Sequence, residues 1–243
     1  MLALPGPVIL DLNTQRDLLS PEGIYPIFQP EKLYDPLKQL FTIAQRHQIP
    51  VVSTRFHHLM APACNASRDN GTSRLICQPT ASGYQKMPFT QLRRRIEWPL
   101  DCGTDLPVDG FRVIQQYIFD LPSLNLFESP RLDRLLSETS AQVFLVAGVP
   151  LEWTVRTAVL GLLARRHKVA VVSDCIGMWD PYEGDMALRQ VESKNIEWLT
   201  VAQVAERYGS PKPRSSRVAR VRARSTQGNV VSKSPKARGA FRI

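Results

Sequence analysis

The run Gly148-Val149-Pro150-Leu151-Glu152-Trp153-Thr154-Val155-Arg156 joins turn-forming residues to apolar stretches on either side, the layout of a catalytic strand-to-helix corner. An apolar β run, Gln142 to Ala147, leads into the glycine and the X-Pro bond, an apolar helix follows, and a second apolar run covers Lys168 to Ser173. In open α/β sheets ligands bind beyond the carboxyl ends of the strands, where the first residues of such a helix point. Val149, Pro150 and Trp153 are therefore expected to shape a pocket or oxyanion corner. Thr154 stands where a nucleophile would, and an internal threonine hydroxyl reacts only with a strong base beside it. The cysteines are Cys64, Cys77, Cys102 and Cys175, with no C-x-x-C spacing, and they read as free thiols rather than a disulfide framework or zinc site. Cys175, just past a strand end, and Cys102, within a long loop segment, are the candidate reactive thiols.

The corner resembles that of the isochorismatase-like cysteine hydrolases, the superfamily that includes nicotinamidases, whose usual wording is G-V-A-T-D-x-C-V with the Cys as nucleophile and a cis peptide after the Val. Gly148 and Val149 match, Pro150 takes the Ala, Leu151 the Thr, Glu152 the Asp, and Thr154 the Cys. The resemblance implies amide or ester cleavage by a thiolate, helped by an Asp at the end of the first strand and a Lys after the strand preceding the nucleophile. A thiol must be deprotonated by a carboxylate or held as thiolate beside a cation, and its oxyanion met by backbone N–H groups.

Two registers compete for the first-strand motif D-x-Q-x-D-F. Keeping Gln15 and Asp17 together puts Asn13 on the catalytic Asp, and this register is preferred; matching the apolar strand to its following carboxylate selects Asp11. The two lie on the same strand face. Asn cannot accept a proton. The lysine is expected near Asp120 or Leu121, where no register supplies one: no lysine occurs between Lys86 and Lys168. Nicotinamidase-like members also carry a metal site, for which His58 and Asp101 are weak candidates; Phe56 takes the place of its Asp, and no cofactor or metal is expected. The resemblance thus implies the family fold with three catalytic positions substituted, a non-catalytic member with a binding or regulatory role. A hydrolase with chemistry relocated to Asp11, Cys175, His58 or Asp101 is the alternative.

The 243 residues suffice for one α/β domain with a substantial core. The net charge of +9 is unevenly placed: residues 211–243 hold ten Lys or Arg and no acid, which leaves 21 basic against 22 acidic residues elsewhere. Such a block has too little apolar content to bury and is expected to be disordered. It could bind a polyanion in a salt-dependent way. No run approaches the roughly 18 apolar residues of a membrane span, and no signal-peptide pattern opens the chain, so a cytoplasmic location is expected. A small-molecule ligand in the crevice and, by family analogy, a homo-oligomer complete the expected partners.

The elements that must position these groups follow from periodicity. Pro7 to Leu12 and Ile49 to Thr54 read as strands around an amphipathic helix, Glu31 to His47, with apolar residues at 33, 37, 40, 41 and 44. Phe56 to Gly110 is rich in Pro, Gly, Ser, Asn and Thr and reads as a long excursion of lid type. Arg112 to Phe119 is expected as a strand, Pro130 to Glu138 as a helix with Pro in its first turn, Gly184 to Lys194 as a helix, Ile196 to Thr200 as an edge strand and Val201 to Tyr208 as a last helix. Alternating strands and helices predict a three-layer α/β/α sandwich with a mostly parallel, six-stranded sheet over residues 1–209.

Overall fold

In a computed structural model, which describes residues 2–57, 59–60, 75–100, 103–106 and 110–209, the apolar runs form a central parallel sheet. Its strands are β1 (Leu2–Leu12), β2 (Val51–Phe56), β5 (Arg95–Trp98), β6 (Gln116–Leu121), β7 (Thr139–Gly148), β8 (Val169–Ile176) and β9 (Glu197–Leu199), in the order β5-β6-β2-β1-β7-β8-β9. A separate two-residue ladder joins β3 (Leu59–Met60) to β4 (Leu75–Ile76). The longer helices are α2 (Tyr34–His47), α3 (Pro130–Glu138), α4 (Arg156–Ala164), α5 (Pro181–Glu192) and α6 (Val201–Tyr208), after a single α turn, α1 (Arg16–Leu19). The sheet is flanked by helices, α2 beside α6 and α4 beside α5. No helix among the described residues is long and apolar enough to cross a membrane.

Central strands read as apolar runs because both faces are covered. Val8, Ile9, Leu10 and Leu12 of β1 and Leu145, Val146 and Ala147 of β7 are all fully buried. The amphipathic period of α2 buries Leu37, Leu40, Phe41 and Ala44 against the sheet. Each buried leucine of this kind contributes about 1.5–3 kcal/mol. The order reverses direction at β1, where chain segments run outward on both sides, so the crevice falls beyond the carboxyl ends of β1 and β7.

Among the described residues the sheet has seven strands rather than six. The additional one, β5, lies inside the 56–110 segment read as loop and pairs with β6, Arg95 against Gln116 and Trp98 against Phe119. It is short and mostly exposed, with Arg95 and Glu97 on an open edge, so it lacks the apolar run that marks a central strand. The sixth strand begins at Gln116, four residues later than Arg112, because Gly110–Arg112 forms a tight turn with Gly110 at φ 50°. Residues Pro30–Leu33 wind as a separate 3₁₀ turn ahead of α2. Helix α5 starts at Pro181, earlier than Gly184, because Asp180 caps it by accepting from Tyr182 N at 2.8 Å and Glu183 N at 3.0 Å.

Candidate active-site corner

The corner after β7 is fixed by its backbone. Gly148 sits at φ 114° with its Cα against the Leu12 carbonyl, which a Cβ would strike, so glycine is required there. Val149 N donates to Leu12 O at 2.8 Å, Leu151 N to Gly177 O at 2.8 Å, and the Val149-Pro150 bond is cis. The turn over Leu151–Val155 is wider than an α-turn, with Arg156 N reaching back to Leu151 O. Such π-type turns occur often at functional sites. Val149 and Leu151 are buried, and Trp153 is 45% exposed, pointing to solvent rather than closing the crevice.

Thr154 and Asn13 meet. Asn13 Nδ2 donates to Thr154 Oγ1 at 3.0 Å, and Thr54 Oγ1 donates to Asn13 Oδ1 at 2.7 Å. Asn13 holds a left-handed backbone, φ 49°, which an asparagine adopts more readily than most residues. All three side chains are fully buried. The register that keeps Gln15 and Asp17 together therefore carries the residue facing Thr154. Gln15 and Asp17 themselves are scaffold. Gln15 Nε2 donates to the Phe56 and Tyr84 carbonyls at 3.1 Å each and its Oε1 accepts from Phe56 N, while Asp17 accepts from Cys77 N at 2.7 Å.

Asp11 belongs to a second group. Its Oδ2 lies 2.9 Å from Lys86 Nζ and accepts from Ser53 Oγ at 2.7 Å, and its Oδ1 accepts from Thr14 Oγ1 at 2.9 Å. Lys86 Nζ also donates to Thr54 O at 3.0 Å, and both ionic side chains are 0% exposed. Burial pulls the Lys86 pKa down, and the Asp11 charge opposes that shift. A strap places the lysine: Arg16 N donates to Gln85 O and Met87 N to Thr14 O, both at 2.8 Å, so residues 85–87 run antiparallel to the chain leaving β1.

Leu121, the position assigned to the lysine, is a fully buried apolar residue, and the neighbouring Asp120 is paired with Arg55, its register partner on β2. Arg55 also holds Glu97 at 2.8 Å and lies 4.6 Å from the Tyr84 ring centroid. The cation that reaches the first-strand carboxylate comes instead from Lys86 in the loop before β5. Two signals in the chain point to it: Lys86 is the only lysine between Lys38 and Lys168, and Asp11 is a charge inside an apolar strand, which burial forces into a pair.

Cys175 lies in a wide bulge of β8, where Val171 and Ile176 sit opposite β7 residues only two apart, and it is fully buried. Burial, then the charges of Asp174 and Asp11, raise its pKa well above the ordinary thiol value, which holds it as a thiol. Cys77 is buried likewise and its pKa is raised by burial. Glu152, at the Asp position of the corner, is 4% exposed: its Oε1 accepts from Trp179 N at 2.6 Å and Asp180 N at 3.0 Å, while Oε2 has no hydrogen-bond partner among the described residues. Burial raises its pKa. His57 stacks edge-on against Tyr84, and His58, Asp101 and Cys102 lie outside the described residues. Among the described residues no three His, Cys, Asp or Glu side chains gather as metal ligands would.

Chemically, the corner holds a neutral amide–hydroxyl pair in which Asn13 is the donor, beside a carboxylate and an ammonium that neutralise each other. Thr154 Oγ1 accepts from the Asn13 amide, while the Asp11 carboxylate is held by Lys86, Ser53 and Thr14.

The isochorismatase domain model matches residues 8–203. The fold is similar to that of pyrazinamidase from Pyrococcus horikoshii in complex with zinc, at 19% identity and a TM-score of 0.58 over 81% of this chain and 99% of that one. A cysteine hydrolase from Pseudomonas syringae pv. phaseolicola aligns at 14% identity and a TM-score of 0.62, covering 84% of this chain and 92% of its own. The Escherichia coli YcaC gene product, described as an octameric hydrolase of unknown specificity, aligns at 16% identity and a TM-score of 0.56, over 83% and 79% of the respective chains. At such identities these likenesses speak for the fold. No curated protein sequence matches the chain significantly.

Proposed function

Because the chain belongs to the isochorismatase family, we propose that it is a member in which the thiol hydrolysis of the fold has given way to a binding or regulatory role. The observation that carries this reading is the 3.0 Å hydrogen bond from Asn13 Nδ2 to Thr154 Oγ1, between two fully buried neutral side chains at the corner where the resemblance implies a carboxylate and a thiol. Where several groups act as a unit, loss of the nucleophile alone removes most of the rate. A hydrolase working through Cys175 and Asp11 would need a thiolate, and burial of Cys175 opposes one. Incubation with nicotinamide and simple aliphatic amides, before and after iodoacetamide, tests the reading by ammonia release. No release above a protein-free control is expected; release that alkylation abolishes would establish a working thiol enzyme.

In this reading residues 1–209 are the family domain of a cytoplasmic protein, and residues 210–243, which lie outside the described residues, are a basic tail. The ten positive charges of residues 211–243 favour weak, salt-sensitive polyanion binding as an added property. Self-association is supported by exposed apolar side chains around the corner: Trp153 at 45%, with Tyr182 at 77% and Met186 at 47% one turn apart on α5. Light scattering of the full chain checks it, an oligomer that Trp153→Glu dissociates being expected.

A further inference from the structure

Strand β7 is longer than its neighbour. Its ladder with β8 begins at Phe144, opposite Val169, while its ladder with β1 begins five residues earlier, at Thr139. Residues 139–143 are therefore paired on one side only among the described residues. In a parallel ladder a residue turns both backbone groups to the same neighbour, and successive residues alternate between neighbours. Phe144 N donates to Lys168 O, so Phe144 faces β8, and Ser140 and Gln142 turn their N–H and C=O groups the same way, where no strand among the described residues receives them. Both residues are exposed.

The space beside this edge is a cavity of about 660 Å³, bounded by residues 137–142 and by the α4–β8 connection at residues 165–168. That connection reads Arg-Arg-His-Lys. Arg165 is committed to the scaffold: it pairs with Asp133 at 2.6 Å and lies over the Phe127 ring at 3.9 Å. His167 packs edge-on against Phe144, and Arg166 takes a left-handed backbone, φ 61°, that turns the chain. Arg166 and Lys168 remain exposed along the wall. The one acid of the lining, Glu138, is held by Arg134 at 2.7 Å.

We propose that this cleft is a docking site for an extended acidic peptide, which adds as a short strand beside Ser140–Gln142 with its carboxylates against Arg166 and Lys168. Strand addition at an open sheet edge takes its affinity from main-chain hydrogen bonds and its selectivity from flanking side chains. An unpaired edge supplies the first here, and two uncommitted cations supply the second. The site lies at the amino-terminal edge of the sheet, opposite the corner of Thr154, and is independent of whatever that corner does.

The test uses the full chain and a fluorescein-labelled hexapeptide alternating Glu and Val, read by anisotropy at ~0.1 M salt, with hydrogen exchange of the Ser140 and Gln142 amides measured in parallel. Saturable binding is expected, with slowed exchange at those two amides. The charge-reversing pair Arg166→Glu and Lys168→Glu, which touches only exposed side chains, is expected to weaken binding at least tenfold. A probe N-methylated on alternate residues is expected to bind at least tenfold more weakly, since it cannot complete the ladder. Binding unchanged in the double variant would place the peptide on the basic residues beyond position 210 and overturn the proposal. Equal binding of the N-methylated probe, or full competition by millimolar inorganic phosphate, would overturn it in favour of a simple anion site.

Discussion

Lys86→Met is the most informative single change, because it removes one member of an ion pair in which both side chains are completely buried. Breaking such a pair from one side costs about 3–5 kcal/mol, since the remaining charge loses its counter-ion in a medium that solvates it poorly. Asp11 keeps two hydroxyl donors, Ser53 Oγ and Thr14 Oγ1, which soften the loss, and Thr54 O loses the Lys86 N–H. For a domain of this length each kcal/mol moves Tm by roughly 2–4 °C, so the expected fall is about 6–20 °C. Asp11→Asn should cost a similar amount by stranding the ammonium. The double variant Asp11→Asn/Lys86→Met leaves no buried charge, and its loss should be smaller than the sum of the singles by at least about 2 kcal/mol, within the range of coupled neighbours. Urea unfolding followed by circular dichroism, with m-values compared to exclude a changed denatured state, reads all three. Singles that each cost under ~1 kcal/mol, or a double that is simply additive, would refute the claim that this pair anchors the 85–87 strap to β1.

Three other outcomes follow from the same geometry. Glu152 has a pKa raised by burial, so the folded protein binds its proton more tightly than the unfolded chain, and its contribution to stability is present below the ordinary carboxylate value and is lost as pH rises through the raised value. The stability of Glu152→Gln relative to the parent should therefore increase from acid towards neutral pH, and a pH-independent difference would contradict this. Cys77 and Cys175 should resist iodoacetamide at about pH 8 in the folded protein and react after denaturation, as peptide mass mapping would show; rapid labelling of Cys175 in the folded chain would contradict the burial argument. Gly148→Ala should destabilise the fold by more than the ~1 kcal/mol of an ordinary backbone substitution, because the new methyl group meets the Leu12 carbonyl at a φ that only glycine adopts freely. A thermal melt within ~2 °C of the parent would count against that contact.

Much of the fold was legible because central parallel strands and their crossover helices announce themselves by apolar runs and 3.6-residue periodicity. β1, β2, β7 and β8, with α2, α3 and α6, fall close to where those patterns place them. Strand β5 was not legible: an exposed edge strand carrying Arg95 and Glu97 has no buried face to imprint alternation on. The start of α5 was misplaced because its signal is a cap, Asp180 before Pro181, rather than a period. At the corner, the resemblance to the family's two motifs implies that Asn13 and Thr154 share one site, and their side chains meet there. Lys86 leaves no such pattern, because the partner of Asp11 comes from 75 positions away through a loop with no periodicity, and only the physical demand that a buried carboxylate be paired leads to it. Arg55 and Asp120 illustrate the same rule, opposite charges that become neighbours only through the register of β2 and β6.

Mass spectrometry of the chain after incubation with p-nitrophenyl acetate asks whether the buried Thr154 hydroxyl is a hydrogen-bond acceptor or a nucleophile. The acceptor role requires that the peptide spanning residues 148–156 stay unacylated and that p-nitrophenol release by the parent equal that of Thr154→Val. An acetyl group carried on Thr154, with release lost in Thr154→Val, would contradict it.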